Sequence, residues 1–168
     1  MKTPRKSSLE SRLNKEIGYL FADALKGGFT AEEQPGITYD SFLDNRMLMI
    51  AAIRAGIPYS LFDLIQQEAP FSESDWAGFL DISGKSLQRY KQAKQHLFKP
   101  IHSEKILEMA EVTRAGLEVF GNLERFKSWL NTPVYAFNNL KPIELLKDSY
   151  GKDMVLGELI RINHGILV

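Results

Sequence analysis

The chain has 168 residues, 44% of them hydrophobic and 25% charged, enough for one ordinary domain or two small ones and too apolar for a disordered chain. Lys+Arg and Asp+Glu both number 21, which excludes a polybasic whole-chain nucleic-acid binder, and the absence of cysteine excludes thiol catalysis, disulfides, iron–sulfur clusters and Cys-ligated zinc. No apolar run approaches the roughly 18 to 20 residues of a membrane span, and none follows Met1–Lys6 to act as a signal peptide, so the expectation is a cytoplasmic protein with no membrane partner.

The first dozen residues are polar and predict a mobile arm. Leu9, Leu13, Ile17, Leu20, Phe21 and Leu25, at steps of three and four, predict an amphipathic helix stopped by Gly27-Gly28. Residues 29–40, with the Pro35-Gly36 turn signal, predict a surface loop. A second helix is expected from Ser41 to Ala55, closed by Gly56 and Pro58, and a third from Ser60 to Glu68, closed by Pro70. Ser72 is placed to cap a short helix with Asp75 three residues on and Trp76, Ala77, Phe79 and Leu80 on its apolar face. Asp81-Ile82-Ser83-Gly84 breaks it, and Ser83 is placed to cap a helix carrying Leu87, Tyr90 and Leu97.

Pro100 is expected to end that helix and Ser103 to cap the next, whose core stripe is Ile106, Ala110, Thr113, Leu117 and Phe120. Gly121 stops it, and Asn122 caps a helix facing Phe126, Trp129 and Leu130 inward. Val134–Phe137 predicts a loop with buried aromatics, a short strand being the other option. Pro142 suits the first position of a short helix with Ile143, Leu145 and Leu146. Gly151 is expected to end it, and a last helix over Lys152 to Asn163, with Met154, Val155, Leu156, Leu159, Ile160 and Ile162, is apolar around most of its circumference. Gly165 stops it, leaving Ile166-Leu167-Val168 as the tail. The expectation is an all-α fold of eight or nine helices.

Little in this pattern carries chemistry. His96, His102 and His164 share no ligand spacing with carboxylates on one helix face, so no metal is expected. No serine lies in a nucleophile elbow, and no Gly-rich loop follows a strand to cradle a phosphate or dinucleotide. The expectation is a binding protein rather than an enzyme, with no cofactor.

Residues 73–92 have the requirements of a helix-turn-helix: a small residue at the helix crossing (Ala77), a turn hydrophobe (Ile82) and two inward positions on the second helix (Leu87, Tyr90). That leaves Ser83 at the turn and Lys85, Ser86, Gln88, Arg89 and Gln92 outward as candidate DNA-binding residues. Gln and Arg make bidentate contacts with adenine and guanine edges. Lys91, Lys94 and Lys99 extend the positive side toward phosphates. Charge is skewed accordingly: residues 1–84 carry eight basic and twelve acidic side chains, residues 85–168 thirteen and nine. Asp81 stands where glycine is usual, and aspartate tolerates the left-handed turn conformation better than most residues. The pattern alone equally fits a helical hairpin with a solvated basic face.

Further on, Val119-Phe120-Gly121-Asn122, Trp129-Leu130-Asn131-Thr132-Pro133, Lys141-Pro142-Ile143-Glu144-Leu145-Leu146, Gly151 and Leu159-Ile160-Arg161-Ile162-Asn163-His164-Gly165 follow in order. This set resembles the toxin-binding domain of bacterial Xre/MbcA/ParS antitoxins. Upstream, Arg54-Ala55-Gly56-Ile57 and Leu80-Asp81-Ile82-Ser83 through Arg89 resemble the Xre-type helix-turn-helix of the same proteins. The resemblance covers residues 46–168 and departs locally at Asp81 and Lys141. It implies an all-α protein with an arm and helix over 1–45, an Xre-like helix-turn-helix domain over 46–102 and a small helical toxin-binding domain over 103–168. It further implies a homodimeric antitoxin that blocks the active site of a cognate RES-domain, NAD-degrading toxin and binds promoter DNA as an autoregulator. The aliphatic tail after a helix stop has its own incentive to dock, roughly 1.5–3 kcal/mol per buried side chain. It either folds back on its own core or inserts at the toxin surface. In the second case the toxin-binding residues are Arg161, Asn163, His164, Gly165, Ile166, Leu167 and Val168. The alternative function is a stand-alone helix-turn-helix transcription regulator whose C-terminal helices dimerise or sense a ligand.

Overall fold

A computed structural model of the chain describes residues 4–24 and 36–165. Leu25, the Gly27-Gly28 stop, most of the expected 29–40 loop and the tail Ile166-Leu167-Val168 lie outside the described residues. Ten α-helices and one short 3-10 turn make up the secondary structure there, with isolated β-bridges and no strand. The chain forms two compact units that interleave in sequence. One takes the chain up to Glu68 and Gln88–Leu107, the other Ala69–Leu87 and the chain from Glu108 onward.

In the first unit, α1 (Pro4–Ala24) buries Leu13, Ile17 and Phe21 and packs chiefly on α4 (Tyr59–Glu68). It begins earlier than its apolar stripe because Pro4 and polar residues suit a first turn, so residues 4–12 are helix rather than mobile arm. The helix expected over Ser41–Ala55 is two helices, α2 (Tyr39–Asp44) and α3 (Arg46–Ala55). Asn45 divides them: its Oδ1 accepts the N–H groups of Met47 and Leu48, both at 3.1 Å, in competition with a continuous helix ladder. Beyond α4, residues 95–99 lie along 57–59, where the N–H of Tyr59 donates to the His96 carbonyl (2.8 Å) and that of Phe98 to the Ile57 carbonyl (2.9 Å). Leu97 is therefore not helical but stands in an isolated bridge with Pro58, 55% exposed.

Pro100 starts α7 (Pro100–Phe120) rather than merely closing what precedes it, since proline needs no helical partner for a missing N–H at the first position. Ser103 is then inside the helix and fully buried, not its cap. Its hydroxyl accepts the Ile57 N–H (2.8 Å) and donates to the Phe98 carbonyl (3.2 Å). Ser103→Ala strands a buried N–H and is expected to cost about 1–3 kcal/mol, seen as a lower urea midpoint with unchanged far-ultraviolet dichroism. An unmoved midpoint contradicts that tether.

In the second unit, α5 (Glu73–Leu80) carries the expected cap: the Asp75 N–H donates to Ser72 Oγ (3.0 Å), and the Ser72 N–H donates back to the Asp75 carboxylate (2.8 Å). Trp76 is buried edge-on to Phe71 and Phe79. Asn122 caps α8 (Leu123–Leu130), whose Phe126 stacks on Phe120 and Trp129. Val134 bridges Leu140 around a 3-10 turn, Tyr135–Phe137. Phe137 is buried as expected, but Tyr135 is 90% exposed, because one tight turn cannot aim both rings inward. Pro142 opens α9 (Pro142–Leu145); the Lys141 side chain accepts no capping bond there, its carbonyl accepts the Glu144 N–H (3.0 Å), and its N–H donates to the Glu144 carboxylate (2.8 Å).

Helix α10 (Ser149–Asn163) starts three residues earlier than expected. Asp148 caps it by accepting the Gly151 N–H (2.8 Å). Gly151 thus lies within α10 and ends nothing. A Cβ on it would stand 1.9 Å from the Leu145 carbonyl oxygen, so its bare backbone is what admits α9.

Candidate functional site

The segment after α5 turns as the helix-turn-helix pattern requires. Asp81 is left-handed (φ 52°, ψ 46°) and closes α5, while the Ile82 N–H reaches back to the Ala77 carbonyl (3.1 Å). Its short polar side chain makes that conformation tolerable for a residue other than glycine. Ala77 is buried and Ile82 half-buried. Ser83 then opens α6 (Gly84–Ala93), its hydroxyl accepting the Ser86 N–H and donating to Ser86 Oγ, both at 3.0 Å.

Along α6, Leu87 is buried and Tyr90 half-buried. Lys85, Gln88, Arg89 and Gln92 are exposed on this one helix, and Ser83 is exposed at its start. Ser86 is half-buried, with its hydroxyl engaged by Ser83. Lys91, Lys94 and Lys99 are also exposed. At the far end Lys94 is left-handed (φ 57°) and the chain folds back. The His96 ring stacks on Tyr90 at 3.5 Å between centroids, 6° from parallel, and the Arg89 guanidinium stands 5.6 Å from the Tyr90 ring centre. Burial, followed by the nearby His102 and Arg89, pushes the His96 pKa down, so the ring is neutral at neutral pH and contributes packing rather than charge. Nothing in the residue spacing announces this stack. It arises because the Lys94 reversal returns residues 95–98 along the helix they leave.

The C-terminal candidates sit at the end of α10. Arg161 is half-buried and donates to the Glu158 carboxylate at 2.7 Å, one turn back on the same helix. Asn163 and His164 are exposed. The His164 N–H donates to the Ile160 carbonyl and the Gly165 N–H to that of Ile162, both at 3.0 Å, with Gly165 at φ 67°. α10 is less inward-facing than its composition suggests: Val155 and Leu159 are buried, but Met154 and Ile160 are about half exposed. Tyr150, 88% exposed, escaped the sequence reading because the helix was expected to begin only at Lys152. A helical wheel drawn from the Asp148 cap onward finds it.

No three His, Asp or Glu side chains converge as a cation site among the described residues, and no helix there is long and apolar enough to cross a membrane.

Fold and sites define an all-helical protein in which a helix-turn-helix is followed in sequence by further C-terminal helices. Residues 48–111 match the family model of the antitoxin Xre-like helix-turn-helix domain, and residues 115–165 that of the antitoxin Xre/MbcA/ParS C-terminal toxin-binding domain. The chain thus carries, in this order and together over most of its length, the helix-turn-helix and the toxin-binding domain described for these antitoxins. Among curated proteins it is similar to an antitoxin Xre of Yersinia enterocolitica, 24% identical over 120 residues, 71% of this chain and 80% of that one. Its fold is similar to a chain in the crystal structure of the M. tuberculosis MbcT-MbcA toxin-antitoxin complex, with TM-score 0.51 and 20% identity, over 64% of this chain and 94% of that one.

Proposed function

We propose that this chain neutralises a cognate RES-domain, NAD-degrading toxin in the cytoplasm by covering its active site, and that as a homodimer it binds promoter DNA to regulate its own expression. It acts by occupying a macromolecular surface and contributes no reacting group. The division of labour follows an N-terminal arm and helix over 1–45, the helix-turn-helix domain over 46–102 and the toxin-binding domain over 103–168. The observation that carries the reading is the match of residues 115–165 to a toxin-binding domain behind a matched helix-turn-helix. A similar fold in a toxin-antitoxin complex supports it. Co-expression with the toxin gene next to its own tests it: relief of growth arrest is expected, and continued arrest refutes the antitoxin reading.

For the DNA arm, Ser83, Lys85, Ser86, Gln88, Arg89 and Gln92 are the proposed contacts, with Arg89 reading a base and Lys85 meeting phosphate. Arg89→Ala is expected to weaken specific operator binding by about 1–3 kcal/mol, while Lys85→Ala weakens all sequences alike and flattens the salt dependence. Competition gel shifts at two salt concentrations separate the two. An unchanged Arg89→Ala shift removes Arg89 from base reading.

For the toxin arm, Arg161, Asn163, His164, Gly165, Ile166, Leu167 and Val168 form the proposed contact. Deleting residues 165–168 is expected to leave the helical dichroism intact and abolish neutralisation. Full neutralisation by that folded truncation rules the tail out.

A further inference from the structure

Arg89 is exposed on α6, but its side chain has a neighbour to rest on. The guanidinium stands over the Tyr90 ring, 5.6 Å from its centre and within cation–π reach. Tyr90 in turn lies flat against His96, 3.5 Å between centroids and 6° from parallel. Both rings meet the buried Phe98 edge-on, at 5.8 Å and 4.8 Å.

The segment that delivers His96 is fastened through its backbone. Lys94 turns left-handed, the His96 carbonyl accepts the Tyr59 N–H (2.8 Å), and the Phe98 N–H donates to the Ile57 carbonyl (2.9 Å). All of these residues from Ile57 to Phe98 lie in one compact unit. The Tyr90 ring is therefore fixed from outside α6 and does not depend on the rotamers of the helix surface. Burial first, then His102 and Arg89, lower the His96 pKa. The imidazole is neutral at neutral pH and packs on Tyr90 without repelling the guanidinium beside it.

An exposed arginine samples many rotamers, and ordering it on a partner costs affinity. An arginine already resting on a fixed ring has less freedom to lose. Contact through the flat face of the guanidinium also leaves its in-plane N–H donors for a base edge.

We propose that Tyr90 and His96 are positioning residues for Arg89: the stacked pair, held by the return of residues 95–98, keeps the guanidinium ready for a base edge in promoter DNA. This rests on the DNA-binding reading above and adds the groups that set its sequence selectivity.

The test uses the full chain and two DNA probes, a duplex from the region just upstream of its own gene and a shuffled duplex of equal length and composition. Affinities for both are measured by fluorescence anisotropy, and folding by circular dichroism. His96→Ala and Tyr90→Leu are each expected to bind the promoter duplex about three- to tenfold more weakly and the shuffled duplex as the wild type does, because phosphate contacts carry no sequence information. Tyr90→Phe and His96→Phe, which keep a flat neutral ring, are expected to retain wild-type preference. In an Arg89→Ala background, His96→Ala is expected to cost nothing further. The proposal is overturned if His96→Ala and Tyr90→Leu leave promoter affinity unchanged, or if they weaken both duplexes alike, which is the mark of a merely structural role. It is also overturned if the His96→Ala and Arg89→Ala losses simply add. A wild-type chain that does not prefer the promoter duplex overturns the DNA-binding reading itself.

Discussion

Gly151→Ala is expected to lower the stability of the C-terminal unit by about 2 kcal/mol or more, although alanine is the better helix former. The propensity gain is about 0.5–1 kcal/mol. Against it stands a Cβ placed 1.9 Å from the Leu145 carbonyl oxygen and 2.7 Å from its carbon. These are backbone atoms, so no rotamer change relieves the overlap; α9 or the first turn of α10 must move, and overpacking of this kind costs roughly 1–3 kcal/mol and occasionally more. Both tryptophans, Trp76 and Trp129, belong to the same unit as Gly151, so fluorescence-detected urea unfolding reads the loss directly. The same change at Gly157, where the Cβ meets nothing, is expected to raise the midpoint. Equal shifts at the two positions would mean that α9 does not rest on α10.

Phe98→Ala is expected to cost about 3–5 kcal/mol, the usual range for emptying a buried aromatic site, and to lower Tm by roughly 10 °C for a chain of this length. Phe98 is 1% exposed. Its ring meets Phe62 at 5.0 Å, Tyr90 at 5.8 Å and His96 at 4.8 Å, all near edge-on, and stacks on Tyr59 at 6.3 Å. Through Tyr90 and His96 it braces the side of α6 that carries Arg89. A truncation there should therefore weaken the proposed operator binding as well as folding. Phe98→Leu, which keeps most of the volume, should lose much less of both. Thermal melts and gel shifts on the two variants check the pair, and a Phe98→Ala chain of wild-type Tm contradicts the central place given to this ring.

Much of the helical plan is written locally. Ser72 and Asp75 form their capping box, Asn122 caps α8, Pro142 opens α9, and Asp81 adopts the left-handed turn, because each of these events depends on hydrogen bonds within a few residues. The outward set on α6 is legible for a similar reason: a single amphipathic period separates Leu87 from Lys85, Gln88, Arg89 and Gln92.

Where expectation and structure part, some departures are local, as at Asn45 and Asp148, and others come from a group outside the element. Ser103 and Gly151 show the latter best. Each residue type has a familiar local role, cap and stop, and each is instead used by a group outside its own helix, the Ile57 N–H far off in sequence for Ser103 and the carbonyl of Leu145 in the preceding helix for Gly151. Met154 and Ile160 resemble core by composition, but which apolar side chains of a nearly all-apolar helix face inward depends on what packs against it.

The order of residues by itself determined the all-α class, the position of the helix-turn-helix and the antitoxin resemblance, since periodicity, caps and motif spacing are short-range properties. Tertiary structure alone decided the interleaving of the two units, the Tyr90–His96 stack and the exposed face of α10. Those depend on which surfaces meet after the chain has closed, and no local pattern encodes that.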